Sequence, residues 1–126
     1  MPIVTLTVRG PKSAEFKTRV LDAIHESLVA IGASPDDRFQ RVIELGADDF
    51  RYHPTFPDVQ GSRTEDFLLV EILLGVGRSV KLKKQVLAGL CARLRALGHD
   101  PENLMVLFQD VPWENFSPAG GRVPHA

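Results

Sequence analysis

Cysteine is scarce in this chain of 126 residues: Cys91 is the only one, so no intramolecular disulfide can form. Three leucines surround it at helical spacing, Leu87, Leu90 and Leu94. We therefore predict a buried structural thiol rather than a nucleophile. A single unpaired cysteine fits a reducing compartment, and no signal-peptide pattern opens the chain, so we expect a cytoplasmic protein.

An excess of one charge and long apolar runs are also lacking. The sequence has 15 lysines and arginines against 16 aspartates and glutamates, a formal net charge of -1. This balance gives no electrostatic basis for binding nucleic acid or an anionic membrane surface. No apolar stretch approaches the roughly 20 residues that a membrane-spanning helix needs. We therefore expect neither a nucleic-acid partner nor a membrane partner.

Clustered metal ligands and a complete glycine-rich nucleotide loop are absent as well. His53, His99 and His125 have no metal-ligand spacing with one another or with Cys91. The Gly-Val-Gly segment at 75–77 lacks the third glycine of a dinucleotide fingerprint, and we interpret it as a bend before a helix. We therefore expect neither a metal nor a cofactor.

An internal repeat is the clearest feature that is present. The length and a hydrophobic content of 44% suit one domain over residues 1–126. Inside it, matching residues recur 66 positions apart: Val4 and Val70, Ser13 and Ser79, Gly32 and Gly98, Pro35 and Pro101. We interpret this as a duplicated unit covering about 2–46 and 67–110, followed by a tail of about 112–126.

Each unit is predicted to form a strand, a helix and a second strand. Ser13 and Ser79 are suitable N-caps, and Gly32 and Gly98 are suitable helix terminators. Apolar side chains recur at helical spacing between them, at Phe16, Val20, Ile24 and Leu28 and at Leu82, Val86, Leu90 and Leu94. The second strands are expected at about Phe39–Leu45 and Leu104–Gln109. Right-handed crossovers then give an α/β (α+β) fold, a four-stranded mixed sheet with both helices on one face.

The remaining segments are predicted to be irregular. Residues 48–66 contain Pro54, Pro57 and Gly61 and are expected to form a loop, with a short hairpin at Phe50–Tyr52. The tail after Pro112 has no helical period and is expected to cover a surface or a neighbouring subunit. Both phases of the strands are apolar, which favours burial of the open sheet face by oligomerisation.

Pro2 carries the clearest chemical possibility. Methionine is usually removed before a small second residue, and removal of Met1 makes the nitrogen of Pro2 a secondary amine rather than an amide. Burial or a nearby cation lowers the pKa of such an amine, and a nearby carboxylate raises it. A neutral Pro2 is a base for moving a proton, and a protonated Pro2 is an acid that can polarise a carbonyl.

Four segments together resemble those of a known family. They are Pro2 after Met1, the run Ser34–Gln40, the run Gly77-Arg78-Ser79 with Lys83 and Lys84, and the run Trp113–Ser117 with Gly120. In this set the chain resembles the tautomerase superfamily, specifically the malonate semialdehyde decarboxylase-like subgroup. The resemblance implies a cofactor-free enzyme acting on a small carboxylate, and a homotrimer.

The resemblance implies a role for each matched residue. Pro2 would transfer the proton, Arg78 would clamp the substrate carboxylate, and Asp37 would hold water or orient the amine. Local alternatives stay open, because an arginine before a helix is often a solvated surface residue and Asp37 lies in a turn where local hydrogen bonds are common. Arg38 is expected to pair with Asp37 or its neighbour Asp36.

The aromatic residues and one departure from the pattern leave the reaction open. Trp113 and Phe116 would either wall the amine with apolar surface or pack between subunits, and Tyr52 is a candidate donor to substrate. Val76 stands where the decarboxylases resembled here have a second arginine. Proton transfer on a small 2-oxo or enol carboxylate is therefore the first hypothesis. The alternatives are decarboxylation or hydration of a small 3-oxo or unsaturated acid, and a non-catalytic trimeric scaffold.

Overall fold

The computed structural model describes residues 1–124, so the predictions for His125 and for the end of the tail lie outside the described residues. Four strands and two helices form its framework. In chain order they are β1 (Ile3–Arg9), α1 (Ala14–Val29), β2 (Phe39–Leu45), β3 (Leu68–Gly75), α2 (Val80–Ala96) and β4 (Leu104–Val111). Short 3-10 turns lie at Pro101–Asn103 and Trp113–Asn115.

The strands form one mixed sheet in the order β2-β1-β3-β4. Each repeat contributes a parallel pair, β1 with β2 and β3 with β4. The two repeats join through the antiparallel pairing of β1 with β3, in which Ile3 lies opposite Leu73 and Val8 opposite Leu68. The predicted four-stranded mixed sheet is therefore confirmed.

Both helices begin at the predicted caps. The hydroxyl of Ser13 accepts a hydrogen bond from the backbone N–H of Phe16 at 3.0 Å, and that of Ser79 accepts one from Leu82 at 3.1 Å. These side chains satisfy one N–H that a helix start otherwise leaves unpaired. The cap fixes the start of α2 at Val80 and so holds the residues just before it in place.

The helices cover one face of the sheet. Buried side chains from one phase of β1 and β3 pack against the apolar stripes of α1 and α2, and they form a single cluster. The cluster comprises Val4, Leu6, Val8, Val20, Ala23, Ile24, Leu28, Leu68, Val70, Ile72, Leu74, Val86, Leu90 and Leu94. Among residues 1–124 no helix covers the opposite face, and there Phe39 and Leu107 are 62% and 56% exposed.

Cys91 is less buried than we predicted from the leucines that surround it in the sequence. Leu90 and Leu94 are fully buried, whereas Cys91 is half-buried on the flank of α2. The successive residue lies about 100° further around a helix, so Cys91 turns away from the sheet. The prediction of a buried thiol was therefore wrong in its degree of burial. Neither helix in the described part of the chain is long and apolar enough to cross a membrane.

The long loop contains no hairpin, so that prediction was also wrong. No strand occurs among the described residues between β2 and β3. Side chains rather than a partner strand satisfy this backbone: Arg9 Nε donates to Phe50 O at 2.8 Å, and Tyr52 OH donates to Thr64 O at 2.5 Å. The rings of Phe50 and Tyr52 then pack on Phe67, with centroid distances of 5.8 and 4.4 Å.

Candidate active site

A cavity of about 610 Å³ opens at the start of β1. Four segments of the chain converge on it. They are the N-terminus, the turn between α1 and β2, the turn between β3 and α2, and the tail after β4. The lining residues are Met1, Ile3, Gly32, Ala33, Ser34, Asp37, Phe39, Arg78, Trp113, Phe116, Ser117 and Pro118. Volumes of this size are typical of small-molecule sites.

The N-terminal amine and the carboxylate of Asp37 form an ion pair in this cavity. In the full chain the amine belongs to Met1, and its nitrogen lies 3.0 Å from Asp37 Oδ2. The parallel register of β1 and β2, with Ile3 opposite Phe39, brings the chain start beside the turn that carries Asp37. That turn is closed by the Asp37 N–H, which donates to Ser34 O at 3.0 Å.

Pro2 lies directly behind Met1 and is buried. It precedes the first residue of β1, so the strand fixes its backbone. Met1 lines the cavity, whereas Pro2 does not. In the full chain the Pro2 nitrogen is an amide, and only the loss of Met1 turns it into an amine.

Arg78 enters the cavity from the start of α2. Gly77 precedes it with φ 112°, a left-handed conformation that favours glycine, and Ser79 caps the helix after it. No ion pair or hydrogen bond links Arg78 to another described residue. Its guanidinium and the helix start are both suited to an anion. Val76 is 46% exposed and does not line the cavity.

The position that the repeat relates to this site carries no equivalent arrangement among the described residues. Lys12 corresponds to Arg78, but its ammonium lies 3.3 Å from Asp66 Oδ1. Asn103 corresponds to Asp37, and both ends of its amide bind Thr64: the Thr64 N–H donates to Oδ1 at 2.8 Å, and Nδ2 donates to the hydroxyl at 3.0 Å. The loop before β3 therefore occupies the place that the free chain end occupies in the first repeat.

Trp113 and Phe116 form an apolar wall of the cavity. Both lie in the tail just after β4, and their ring centroids are 6.3 Å apart. The 3-10 turn holds this segment: the Asn115 N–H donates to Pro112 O at 2.9 Å, and the Phe116 N–H donates to Trp113 O at 3.2 Å. The tail thus folds over the site of its own chain.

Two other predicted contacts are not observed. Arg38 pairs with Asp22 of α1 and donates from Nε to Gln40 Oε1 at 2.9 Å, so its expected pairing with Asp36 or Asp37 was wrong. The side chain of Arg38 therefore reaches α1 rather than the neighbouring carboxylates. Tyr52 lies in the long loop and is not among the residues that line the cavity.

Sequence reasoning missed several lining residues. Ile3 and Phe39 begin β1 and β2 and are opposite one another in the register. Both belong to the strand phase that faces away from the helices. The alternation of residues along the strands was the signal in the sequence that could have found them. Ala33 follows the helix-ending glycine and has no such signal. Among the described residues, no group of three histidine, cysteine, aspartate or glutamate side chains is arranged to hold a metal.

Comparison with known proteins identifies the family. The family model described as tautomerase enzyme matches residues 37–119, which is more than half of the chain. The chain therefore belongs to this tautomerase family. It is also 25% identical over 124 residues to the probable tautomerase YusQ of Bacillus subtilis (strain 168), covering 97% of this chain and 96% of that protein.

Solved structures share the fold at low sequence identity. One is a malonate semialdehyde decarboxylase inhibited by 3-bromopropiolate, with a TM-score of 0.87, 18% identity, and coverage of 96% of this chain and 92% of the other. Another is a fused 4-OT symmetric trimer, with a TM-score of 0.74, 24% identity, and coverage of 95% and 94%. These similarities show the tautomerase fold, whose named members include enzymes of different reaction types.

Proposed function

We propose that this chain is a cofactor-free tautomerase that uses the amine of Pro2, after removal of Met1, to move a proton on a small 2-oxo or enol carboxylate. One observation carries the proposal: the N-terminal amine, which is that of Met1 in the full chain, lies 3.0 Å from Asp37 in a cavity that Arg78 also lines, and removal of Met1 leaves Pro2 as the residue that carries this amine. An acid/base group, a carboxylate beside it and an anion-binding cation are suited to this chemistry.

Each residue has a defined part in the proposed reaction. Arg78 binds the substrate carboxylate with two parallel hydrogen bonds, aided by the start of α2. Pro2 takes a proton from the enol oxygen or the α-carbon and returns it to the other position. Asp37 orients the amine or a water molecule. Trp113 and Phe116 exclude water from the reacting atoms, which strengthens these electrostatic interactions.

The test begins with the N-terminus. Intact mass is expected to show a chain without Met1, and the enol form of phenylpyruvate is expected to convert to the keto form in a spectroscopic assay. Pro2→Ala is expected to lower kcat/KM by at least about a hundredfold, the usual range for loss of general acid–base catalysis. Alanine also permits removal of Met1, so the two proteins remain comparable.

Labelling gives an independent measurement at the same site. Incubation with 3-bromopropiolate is expected to add mass to the peptide that begins with Pro2 and to no other peptide. Retention of Met1 in the active protein, or unchanged activity of Pro2→Ala, would contradict the proposal. A protein with no activity and no labelling would favour a non-catalytic scaffold.

Decarboxylation or hydration of a 3-oxo or unsaturated acid is the second candidate. The observation in its favour is the carboxylate of Asp37 beside the amine, because a carboxylate stabilises a protonated amine and hence acid chemistry. Val76 in place of a second arginine counts against it. The two reactions differ in pH dependence: rate rises with pH when Pro2 acts as a base and falls when Pro2 acts as an acid.

A homotrimer is the assembly proposed for this chain. The sheet face without helices carries exposed Phe39, Ile43 and Leu107, and an exposed apolar surface of this kind favours association. A solved structure with the same fold is described as a symmetric trimer. Because the cavity opens beside this face, sites would lie near the subunit boundaries.

A further inference from the structure

Gly75 ends β3 where the open face of the sheet meets the cavity. It lies opposite Val111 of β4, and it belongs to the strand phase of Leu73, which faces away from the helices. In the antiparallel register Ile3 lies opposite Leu73. Because β1 and β3 run in opposite directions, Gly75, two residues further along β3, lies opposite the N-terminus of the chain. Residue 75 therefore borders the place where the amine lies.

The indole of Trp113 occupies the space that a side chain at residue 75 would need. A Cβ built on Gly75 would lie 2.1 Å from Cζ2 and 2.4 Å from Cη2 of Trp113. Real Cβ atoms essentially never approach other atoms within 3.0 Å, so the ring and a side chain at residue 75 exclude one another. Unlike Gly77, Gly75 does not have a left-handed backbone, so space is what requires glycine here.

We propose that Gly75 is a positioning residue, whose missing side chain lets Trp113 lie across the end of β3 and form the cavity wall beside the N-terminal amine. Trp113 in turn contacts Phe116, so displacement of one ring disturbs the whole apolar wall. The expected effect on catalysis rests on the proposed function. The expected effect on the position of the ring does not.

The experiment is the substitution Gly75→Ala, followed by fluorescence. Trp113 is the only tryptophan, so intrinsic emission reports its surroundings alone. Gly75→Ala is expected to shift the emission to longer wavelength and to increase quenching by acrylamide. For an enol substrate KM is expected to rise about tenfold to a hundredfold with a smaller change in kcat, because the wall positions substrate and does not react.

Gly46→Ala is the matched control. Apart from its chain neighbours, no atom of the described residues lies within 4 Å of a Cβ built on Gly46, and the residue lies after β2, outside the cavity lining. It is expected to leave emission, quenching and KM unchanged. An equal spectral shift in both variants, or no shift in Gly75→Ala, would overturn the proposal.

A double substitution guards against misfolding of the single variant. Trp113→Ala removes the ring, so adding Gly75→Ala to that background is expected to change Tm little, whereas it lowers Tm in the native background. If Gly75→Ala alone does not fold, the double variant is expected to fold. Equal losses of Tm in the two backgrounds refute the proposal. If the native protein is inactive, the proposed function is refuted. The fluorescence and Tm results would still test whether Gly75 positions Trp113.

Discussion

Tyr52 shows how single residues of the long loop are committed to structure rather than to the site. Its hydroxyl donates to Thr64 O, its ring packs on Phe67, and the guanidinium of Arg9 lies 4.2 Å from the ring centroid. Burial raises the pKa of the Tyr52 hydroxyl, and Arg9 opposes that shift in part. These contacts explain why the only tyrosine of the chain lies outside the cavity lining.

The titration of Tyr52 is therefore expected to be displaced. Absorbance near 295 nm reports a single phenol here, and its midpoint is expected above the ordinary value of about 10. A raised pKa means that folding favours the neutral form. Its contribution to the free energy of unfolding is thus complete below the unfolded pKa and is lost as pH rises through the folded pKa. A midpoint at or below that of the denatured chain would contradict this account.

At the scale of elements, the two helix starts are alike in structure and differ in surroundings. Ser13 and Ser79 make the same cap hydrogen bond, at 3.0 and 3.1 Å. The residue before Ser79 is Arg78 of the cavity, whereas the residue before Ser13 is Lys12, which pairs with Asp66. One cap thus supports both stability and the site, and the other supports stability alone.

Alanine at each cap separates these two effects. Ser13→Ala and Ser79→Ala are each expected to lower the free energy of unfolding by about 1 kcal/mol, measured by urea denaturation. Only Ser79→Ala is expected to raise KM as well, because fraying of the first turn of α2 displaces Arg78. Ser13→Ala is the matched control, and an equal rise of KM in both variants would show that loss of stability alone explains the effect.

The elements were predictable because their signals are local. Caps, helical spacing and the repeat predicted both helices and the parallel strand pair within each repeat, and β2 spans the predicted residues. The Gly-Val-Gly segment was only half understood: Gly77 makes the predicted bend, whereas Gly75 is required by a ring from beyond β4. A contact between two distant segments has no signal in the sequence of either segment. The pairing of Arg38 with Asp22 was missed for the same reason.

The site was predictable in part, as a grouping of residues. Asp37, Arg78, Trp113 and Phe116 line one cavity with Met1, whereas Pro2 does not line it. The catalytic use of these residues stays a prediction. The asymmetry between repeats was not predictable, because whether Lys12 is paired depends on the loop before β3, whose structure has no periodic pattern in the sequence.

At the scale of the whole molecule, the sheet has two unlike faces. One is covered by α1 and α2, and the other is open. On the open face, Arg41 Nε donates to the hydroxyl of Thr5 at 2.8 Å, and Glu71 lies on the far side of Thr5 in the register. Apolar residues surround this polar row, with Phe39, Ile43 and Leu107 exposed. A surface that mixes exposed apolar area with a few polar groups is typical of subunit interfaces.

A charge placed on this face is expected to break the proposed trimer. Leu107 is 56% exposed in β4 and opposite Glu71, so Leu107→Arg adds a large cation where subunits would meet without disturbing the helix-covered core. Ala88→Arg puts the same side chain on the exposed surface of α2 and serves as the control. By sedimentation velocity at micromolar concentration, the native chain and Ala88→Arg are expected to be trimers and Leu107→Arg a smaller species. A monomeric native chain, or a trimer that survives Leu107→Arg, would show that the open face is not the interface.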